Sequence, residues 1–536
     1  MNSTVPFFNT VIEGNVAWEA GGAYLFNGSG VVSGCSFISN RALGDDDGFN
    51  GRAGALFMNT SRVEDCLFRD NHAYSSGGAI STWSDHITRC RFEDNTARTG
   101  GGAVAVYGAL SNAAIYECEF LRNRVLLAGR SGGAVEVDFG FGGAWSFRIL
   151  ASRFVGNSAP RDGGAIYFNN AKAVVQSCVF DGNEAGRNGG AIAFFSGVGS
   201  CRIINSTFAH NAADSSGQAL YDWATYFDST KVINSICWDH EDTELVKHPN
   251  GRPLVITRSD LEGSYTGTAL MQTDPLFRDA LGVDGIAGTA DDDLQLAAGS
   301  PCINAGTPDT TGLDLFPIEA AGAPRVVATV DMGAYEYNTC SGGPSPAIAP
   351  ADTVVCSRDA FYIEAATPTI GVGRWRIIGD GTGSLGAYDV PNATYDPRTR
   401  VYVPLGVVQL EWSVTYCGTT SRDTLTIISA PLPDAPMIAT AGPLAPCPGE
   451  VVELSLVGGG LALWSTGDTL ETLPVTANGT YYARAMSDLG CAGALSAPVN
   501  IAYAATPPTP NVQVTGSLQL CTGMGQHVTL TSSVSA

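Results

Sequence analysis

One tetrapeptide, Phe-x-x-Asn, recurs through the first half of the chain and limits what it can fold into. It occurs at Phe37/Asn40, Phe68/Asn71, Phe92/Asn95, Phe120/Asn123, Phe154/Asn157, Phe180/Asn183 and Phe208/Asn211, with Ile12/Asn15 as a weaker first copy. Successive asparagines are 25, 31, 24, 28, 34, 26 and 28 residues apart. A second string, Gly-Gly-Ala, alternates with it, starting at Gly21, Gly77, Gly101, Gly132, Gly163 and Gly189. Degenerate copies stand at Gly54-Ala55 and Gly217-Gln218-Ala219. Self-similarity at a short period is the mark of a solenoid.

Each unit is too short to bury a hydrophobic face alone. After Gly-Gly-Ala the apolar pattern has period two, as in Val104-Ala105-Val106 and Ile166-Tyr167-Phe168, which is a half-buried strand. The Cys-x-Phe pair makes a second strand of the same kind. Stacking copies about 4.8 Å apart pairs every strand with its equivalents above and below. Glycine pairs suit bends that need positive φ or lack room for a β-carbon. The recurring Asn can hydrogen-bond its own turn and that of the next coil, forming a ladder. Residues 1–240 are therefore expected to form a right-handed parallel β-helix. Insertions such as 44–52 belong in edge loops.

The combination of Gly-Gly-Ala followed by Ile, Leu or Val with Phe-x-x-Asn resembles the repeats of the polymorphic outer membrane protein family, over residues 9 to about 220. That resemblance implies a bacterial surface β-helix of the pectate-lyase-like type, associated with adhesion.

Residues 241–340 lose the repeat and read as last coils and a cap. Asp-Pro-Leu-Phe at 274–277, Gly-Ser-Pro-Cys-Ile-Asn-Ala-Gly at 299–306 and Asp-Met-Gly-Ala-Tyr-Glu at 331–336 resemble the choice-of-anchor segment of secreted bacterial β-helix proteins. A Gly/Pro/Ser linker follows at 341–350. Residues 352–430 read as short strands around Trp375 and resemble an immunoglobulin-like or PKD-like sandwich. Residues 437–504 carry Trp464-Ser465-Thr466-Gly467 and Gly479-Thr480-Tyr481-Tyr482, which resemble Ig-like repeats of Bacteroidota surface proteins. A third module is expected to begin in 507–536. Its Cys521 sits where Cys356 and Cys447 sit in theirs, so the chain is expected to be part of a longer surface protein.

Charge narrows the partners. The chain holds 29 Lys and Arg against 52 Asp and Glu, for a formal charge of −23. The acidity is spread out, with no basic patch to track phosphates, so nucleic acid is not an expected partner. No apolar run reaches the length of a transmembrane helix, and no signal peptide is visible at the start. The expected location is extracellular or at the cell surface.

Polysaccharide-degrading enzymes built on such a fold need acids at matching positions of adjacent coils. Asp70 and Asp94 come nearest, but no histidine accompanies them at consistent spacing, and a surface ion-pair ladder is the competing explanation. The six histidines are scattered, without His-Glu-x-x-His or Gly-x-Ser-x-Gly. Outward positions after Gly-Gly-Ala are expected at Leu25, Phe57, Ser81, Ala105, Glu136, Tyr167, Ala193 and Tyr221. Of these, Phe57, Tyr167 and Tyr221 are candidates for stacking on sugar rings or a protein ligand. Acidic strings with turn glycines, Asp45 and Asp47 in one and Asp284, Asp291, Asp292 and Asp293 in the other, are suited to Ca²⁺, with solvated loops as the alternative.

Among the 14 cysteines, Cys35, Cys66, Cys90, Cys118 and Cys178 share one repeat position with Ser152 and Ser206. A small residue at a tight bend explains that exchange. Cys356–Cys417 and Cys447–Cys491 are expected disulfides, implying export. Cys201, Cys237, Cys302 and Cys340 have no evident pairing. The favoured function is an adhesin-like surface protein, a β-helix head binding glycan or protein ligands on a stalk of Ig-like modules. A polysaccharide lyase or glycoside hydrolase and a passive spacer are the alternatives.

Overall fold

The computed structural model describes residues 7–25, 31–44, 50–59, 62–83, 86–108, 113–140, 146–195, 201–223, 229–240, 244–247, 253–339, 342–356, 360–378, 384–385, 394–403, 405–515 and 528–532. Among these the regular elements are strands. By contacts the chain forms two units. The first comprises Met1–Asp352, Ala360–Tyr402 and Val408–Thr426, and the second Thr353–Asp359, Val403–Val407 and Ile427–Ala536.

The first unit is built on a parallel β-solenoid of about eight turns, in which a complete turn contributes one strand to each of four sheets. The first sheet runs from Phe7–Phe8 to Val255–Thr257 and the second from Val11–Glu13 to Asp260–Leu261. The third holds the two-residue strands Val16–Ala17 to Ala212–Ala213, and the fourth runs from Ala23–Leu25 to Leu245–Lys247. All pairings in these sheets are parallel and in register, so Phe68 meets Phe37 on one side and Phe92 on the other.

The repeat residues explain the stack. From Phe37 to Phe208 the phenylalanine rings lie parallel at 4.6–4.9 Å between centroids, fully buried. Each such side chain contributes about 1.5–3 kcal/mol through burial alone. The asparagines form the expected ladder between coils. In Asn71, both the backbone N–H and Nδ2 donate to Oδ1 of Asn95, at 3.0 and 2.9 Å, while Nδ2 also donates to Phe37 O at 2.9 Å. The same bonds continue through Asn123, Asn157, Asn183 and Asn211. Asn71 Oδ1 accepts two N–H groups of Asn40 on the rung below, while Nδ2 donates to a backbone carbonyl of that rung and to Asn95 Oδ1 on the rung above, which satisfies a buried turn.

The Cys/Ser position also does more than fit a bend. Cys118 Sγ accepts the Cys90 N–H at 3.4 Å, and Ser152 Oγ accepts the Cys118 N–H at 3.1 Å. Ser206, Ser235 and Ser259 extend this row with hydroxyls. Thiol and hydroxyl exchange because each supplies the acceptor that the next bend requires. Burial pushes the Cys90 thiol well above its ordinary range, so these sulfurs are structural.

Glycine is required where coils nearly touch. A β-carbon on Gly102 would stand 2.0 Å from the Gly133 carbonyl oxygen.

Beyond the last strands, Tyr265 and Leu270 pack against the end of the apolar interior. Residues 277–337 lie along the solenoid's side. Leu294 and Ala334 pack on Val179 and Ala209, and Phe316 and Ile318 on Tyr116 and Leu150. This segment is stitched down by Gly333 N–H to Asn234 O at 2.7 Å and by Asn205 Nδ2 to Asp331 O at 2.9 Å. Buried Arg325 pairs with Glu336 and donates to Gly333 O and Ala334 O.

The same unit contains antiparallel strands of a β-sandwich. Val372–Ile378 pairs with residues 409–415, and Ala360–Glu364 pairs with Arg398–Tyr402. Trp375 and Trp412 fill its core with ring centroids 5.1 Å apart. Glu117, on a solenoid turn, receives Arg374 Nη1 at 3.0 Å and the Tyr395 hydroxyl.

In the second unit, Thr353–Cys356 runs parallel to residues 427–430. Ile438–Ala441, Val452–Leu456 and Thr472–Val475 form one antiparallel sheet of a second sandwich. Thr469–Leu470, Ala462–Trp464, Ala483–Met486 and Ala492–Leu495 form another, over a core of Leu454, Trp464 and Ile501. Val512–Thr515 and Thr529–Ser532 pair antiparallel and are exposed.

The expected cystine pairs do not form. Cys356 is joined to Cys491, with Cα atoms 5.5 Å apart, and Cys447 is an exposed free thiol. Spacing suggested one bridge inside each module. The strand bearing Cys356 instead lies in the second unit, beside the chain that leads into the next module. Cys417 is also disulfide-bonded. Cys201, Cys237 and Cys302 are buried free thiols, and Cys340 lies outside the described residues.

Candidate functional site

The fourth sheet carries the most developed outward face. Its inward residues, such as Val104, Val106, Val135, Val137, Ile166 and Phe168, join the solenoid core. Alternation then turns two rows outward. The first reads Tyr24, Phe57, Ser81, Ala105, Glu136, Tyr167, Ala193 and Tyr221 in strict register. Tyr24, not Leu25, is therefore the partner of Phe57, while Leu25 pairs with Met58. The second row continues two residues on, with Tyr107, Asp138, Asn169 and Phe195 in register.

Phe57 is not available to a ligand. It is 3% exposed, stacked on Tyr24 at 4.7 Å and packed with Ala20 and Ala53. Tyr167 and Tyr221 are half-buried and lie two rungs apart, about 9.6 Å by strand spacing. Ala193, itself 2% exposed, stands in register between them. Phe195, 41% exposed, and Trp223 extend the aromatic surface, with centroids 5.6 Å apart and Trp223 6.1 Å from Tyr221.

Polar groups lie near these rings. Asp162, nearly buried, accepts from Arg187 Nε at 2.8 Å, Arg187 Nη2 at 2.5 Å and Asn188 Nδ2 at 3.1 Å. Arg187 remains 43% exposed on its side chain and keeps donors toward solvent. Burial pushes the Tyr167 hydroxyl up to about 12, helped by the negative charges of Asp162 and Glu136.

Further along the row, Glu136 Oε2 accepts the Tyr107 hydroxyl at 3.0 Å. Burial pushes its carboxyl up to about 7, with the Asp138 charge acting the same way and the Tyr107 bond opposing. The carboxyl occupies space left by Gly100, where a β-carbon would meet Oε2 at 2.0 Å.

The remaining candidates fall elsewhere. Asp70 and Asp94 sit at positive φ in the turns before the ladder asparagines. Asp94 receives Arg122 at 2.8 Å and Asp70 lies 3.8 Å from Arg69, so both belong to surface ion pairs. Asp284, Asp291 and Asp292 do come together, with ligand atoms within 4.8 Å. Asp291 already accepts Val283 N–H, Asp284 N–H and the Thr289 hydroxyl, and Asp284 accepts Ile286 N–H. Asp293 lies on the strand Asp293–Leu296 and accepts Gln295 N–H. Asp45 and Asp47 lie outside the described residues.

The second outward row, Tyr107, Phe195 and Trp223, went unread in the sequence, as did the role of Glu136. The signal was present: the period-two pattern continues one step past each aliphatic triplet.

Together these features define a parallel β-solenoid with an Asn ladder, followed in the chain by antiparallel sheets. Residues 65–82, 151–169 and 177–194 match the family model of the Chlamydia polymorphic membrane protein repeat. No curated protein matches the chain significantly. Among solved structures, murine CEACAM1b aligns at 10% identity over 30% of this chain and 99% of its own, with a TM-score of 0.19. The N-terminal four Ig domains of Dscam1 isoform 7.44 align at 11% identity over 32% of this chain and 48% of theirs, with a TM-score of 0.17. Bacteroides ovatus SGBP-B, in complex with a mixed-linkage heptasaccharide, aligns at 17% identity over 30% of this chain and 46% of its own, with a TM-score of 0.12. Scores this low carry no functional argument. Among the described residues, no helix is long and apolar enough to cross a membrane.

Proposed function

We propose that this chain is the ligand-binding part of a bacterial cell-surface protein, and that its solenoid binds glycans on the outward face of the fourth sheet. The observation that carries the reading is the pair of half-buried rings Tyr167 and Tyr221, two rungs apart in register on one face, with the partly exposed Arg187 close enough to feel both. Flat rings offer stacking surfaces to the apolar faces of sugars, and Arg187 offers hydrogen bonds to hydroxyls or carboxylates. The sheet fixes the rings and the two bonds to Asp162 hold Arg187, which lowers the ordering cost on binding. The matched repeat belongs to membrane proteins by description, which supports a surface location. The test is a glycan array with the full chain, followed by titration of the best ligand against Tyr167→Ala and Tyr221→Ala. Binding that both variants retain unchanged would sink the reading.

A second reading, a glycoside-cleaving enzyme, rests on Glu136. A carboxyl pushed up to about 7 by burial, beside an aromatic row, has the character of a general acid. New reducing ends released from a polysaccharide by the wild type, and lost in Glu136→Gln, would favour it over binding alone.

A further inference from the structure

The second sheet carries one side chain that the repeat does not explain. Asp181 ends the strand Val179–Asp181 on its outward side, yet it is fully buried, because the loop at 288–292 lies over it. Its Oδ1 is 2.8 Å from Nδ1 of His210 on the next rung, while its Oδ2 has no hydrogen-bond partner. Asp292 reaches in from the covering loop, itself 6% exposed. Carboxylate oxygens of both aspartates and a ring nitrogen of His210 lie within 4.8 Å of one another.

The seat of this loop is built into the fold. A β-carbon on Gly182 would stand 2.3 Å from Gly288 Cα, so the two backbones touch only because both are glycine. Arg153 donates to Ala290 O at 2.9 Å and to Asp292 O at 3.1 Å. The arrangement therefore holds two carboxylates together away from water. That is unfavourable unless positive charge is shared between them, and an unpaired buried carboxylate oxygen adds to the cost.

We propose that Asp181, His210 and Asp292 bind one divalent cation, which ties the loop at 288–292 to two rungs of the solenoid. Two carboxylates and an imidazole suit a borderline ion such as Zn²⁺ or Mn²⁺; Ca²⁺ takes oxygen ligands. Asp239, whose carboxylate is 3.8 Å from His210 Nε2, helps hold the ring in position. Asp292 Oδ2 accepts Gly288 N–H at 2.6 Å and Thr289 N–H at 3.0 Å and its Oδ1 the Thr289 hydroxyl at 3.3 Å, which fixes the carboxylate against Asp181; the neighbouring Asp284 and Asp291 are exposed, so the proposal leaves them out.

The experiment uses the full chain, stripped with chelator and carrying Cys447→Ser, because that exposed thiol would itself take Zn²⁺. Calorimetry and thermal melts are run with Zn²⁺, Mn²⁺, Ca²⁺ and Mg²⁺. The expected result is one tight site for Zn²⁺ or Mn²⁺, with a Tm that rises with ion concentration and little response to Ca²⁺ or Mg²⁺. Asp181→Asn and His210→Gln should each weaken binding by tenfold or more, and Asp284→Asn/Asp291→Asn should leave it unchanged. Co²⁺ should give visible ligand-field absorption that His210→Gln removes. Circular dichroism checks folding, and if Asp181→Asn does not fold, the partly exposed His210 carries the same comparison. No response to any of the four ions would overturn the proposal and leave the two carboxyls sharing a proton. So would binding that survives Asp181→Asn, or that depends on Asp284 and Asp291.

Discussion

The Tyr107 hydroxyl donates a 3.0 Å hydrogen bond to Oε2 of Glu136 on the adjacent rung of the fourth sheet. The carboxyl so held is pushed up to about 7, mainly by burial, against an ordinary glutamate value of about 4.3. Between those values the folded state holds a proton that the unfolded chain has lost. Stability contributed by this group therefore falls as pH rises from about 4.3 to about 7 and is level above that. Glu136→Gln should remove this part of the slope, and thermal melts between pH 4 and 9 on both proteins measure it. Identical pH profiles would show that Glu136 titrates normally.

Asn95 is fully buried and accepts two N–H groups of Asn71, while its own Nδ2 donates to Phe68 O and Asn123 Oδ1. Alanine there strands donors and acceptors on both sides, at about 1–3 kcal/mol for each unsatisfied group. Asn95→Ala should lose about 3–5 kcal/mol in urea unfolding. Asp70→Asn, in an exposed pair with Arg69 at 3.8 Å, should stay within about 0.5 kcal/mol.

The cysteine row predicts chemistry-specific tolerance. Cys118→Ser keeps an acceptor for the Cys90 N–H and should be close to neutral, since serine fills this position at Ser152 and Ser206. Cys118→Val preserves apolarity but strands that N–H, and should cost about 1–3 kcal/mol. If valine is tolerated as well as serine, packing alone governs the position.

On the ligand face, Tyr167→Ala and Tyr221→Ala should each weaken binding of the best array glycan by about 0.5–1.5 kcal/mol, the range of an aromatic contact. That is roughly a two- to tenfold change in Kd. Phe57→Ala should leave affinity unchanged while lowering Tm, because that ring is buried among Tyr24, Ala20 and Ala53.

Peptide mapping without reduction should recover Cys356 linked to Cys491, with Cys447 alkylated. Cys356→Ser/Cys491→Ser should destabilise the second unit by about 2–4 kcal/mol. A recovered Cys447–Cys491 peptide would contradict the fold of this unit.

The solenoid was legible in the chain because the rungs from Asn15 to Asn211 obey the same local demands. A turn Asn must satisfy its neighbours, a Phe must fill the interior, and a glycine must stand where coils touch. Repeating those demands eight times leaves a period that no other fold would preserve. The outward rows were legible only in part. Period-two alternation gives the facing of Tyr167 and Tyr221, but a one-residue slip at the first bend put Leu25 where Tyr24 stands. Phe57 faces outward and is nevertheless covered, which alternation cannot reveal.

What the amino-acid order determined by itself is the stacked coil, its ladders and the succession of β modules, since all follow from contacts between like positions in consecutive repeats. What only the tertiary structure decided depends on segments that carry no period. The loop at 288–292 crosses the solenoid's side to bury Asp181 against His210 and Asp292, and Cys356 finds Cys491 across 135 residues of chain. Such meetings are set by how irregular segments pack on a finished scaffold. No local spacing encodes them.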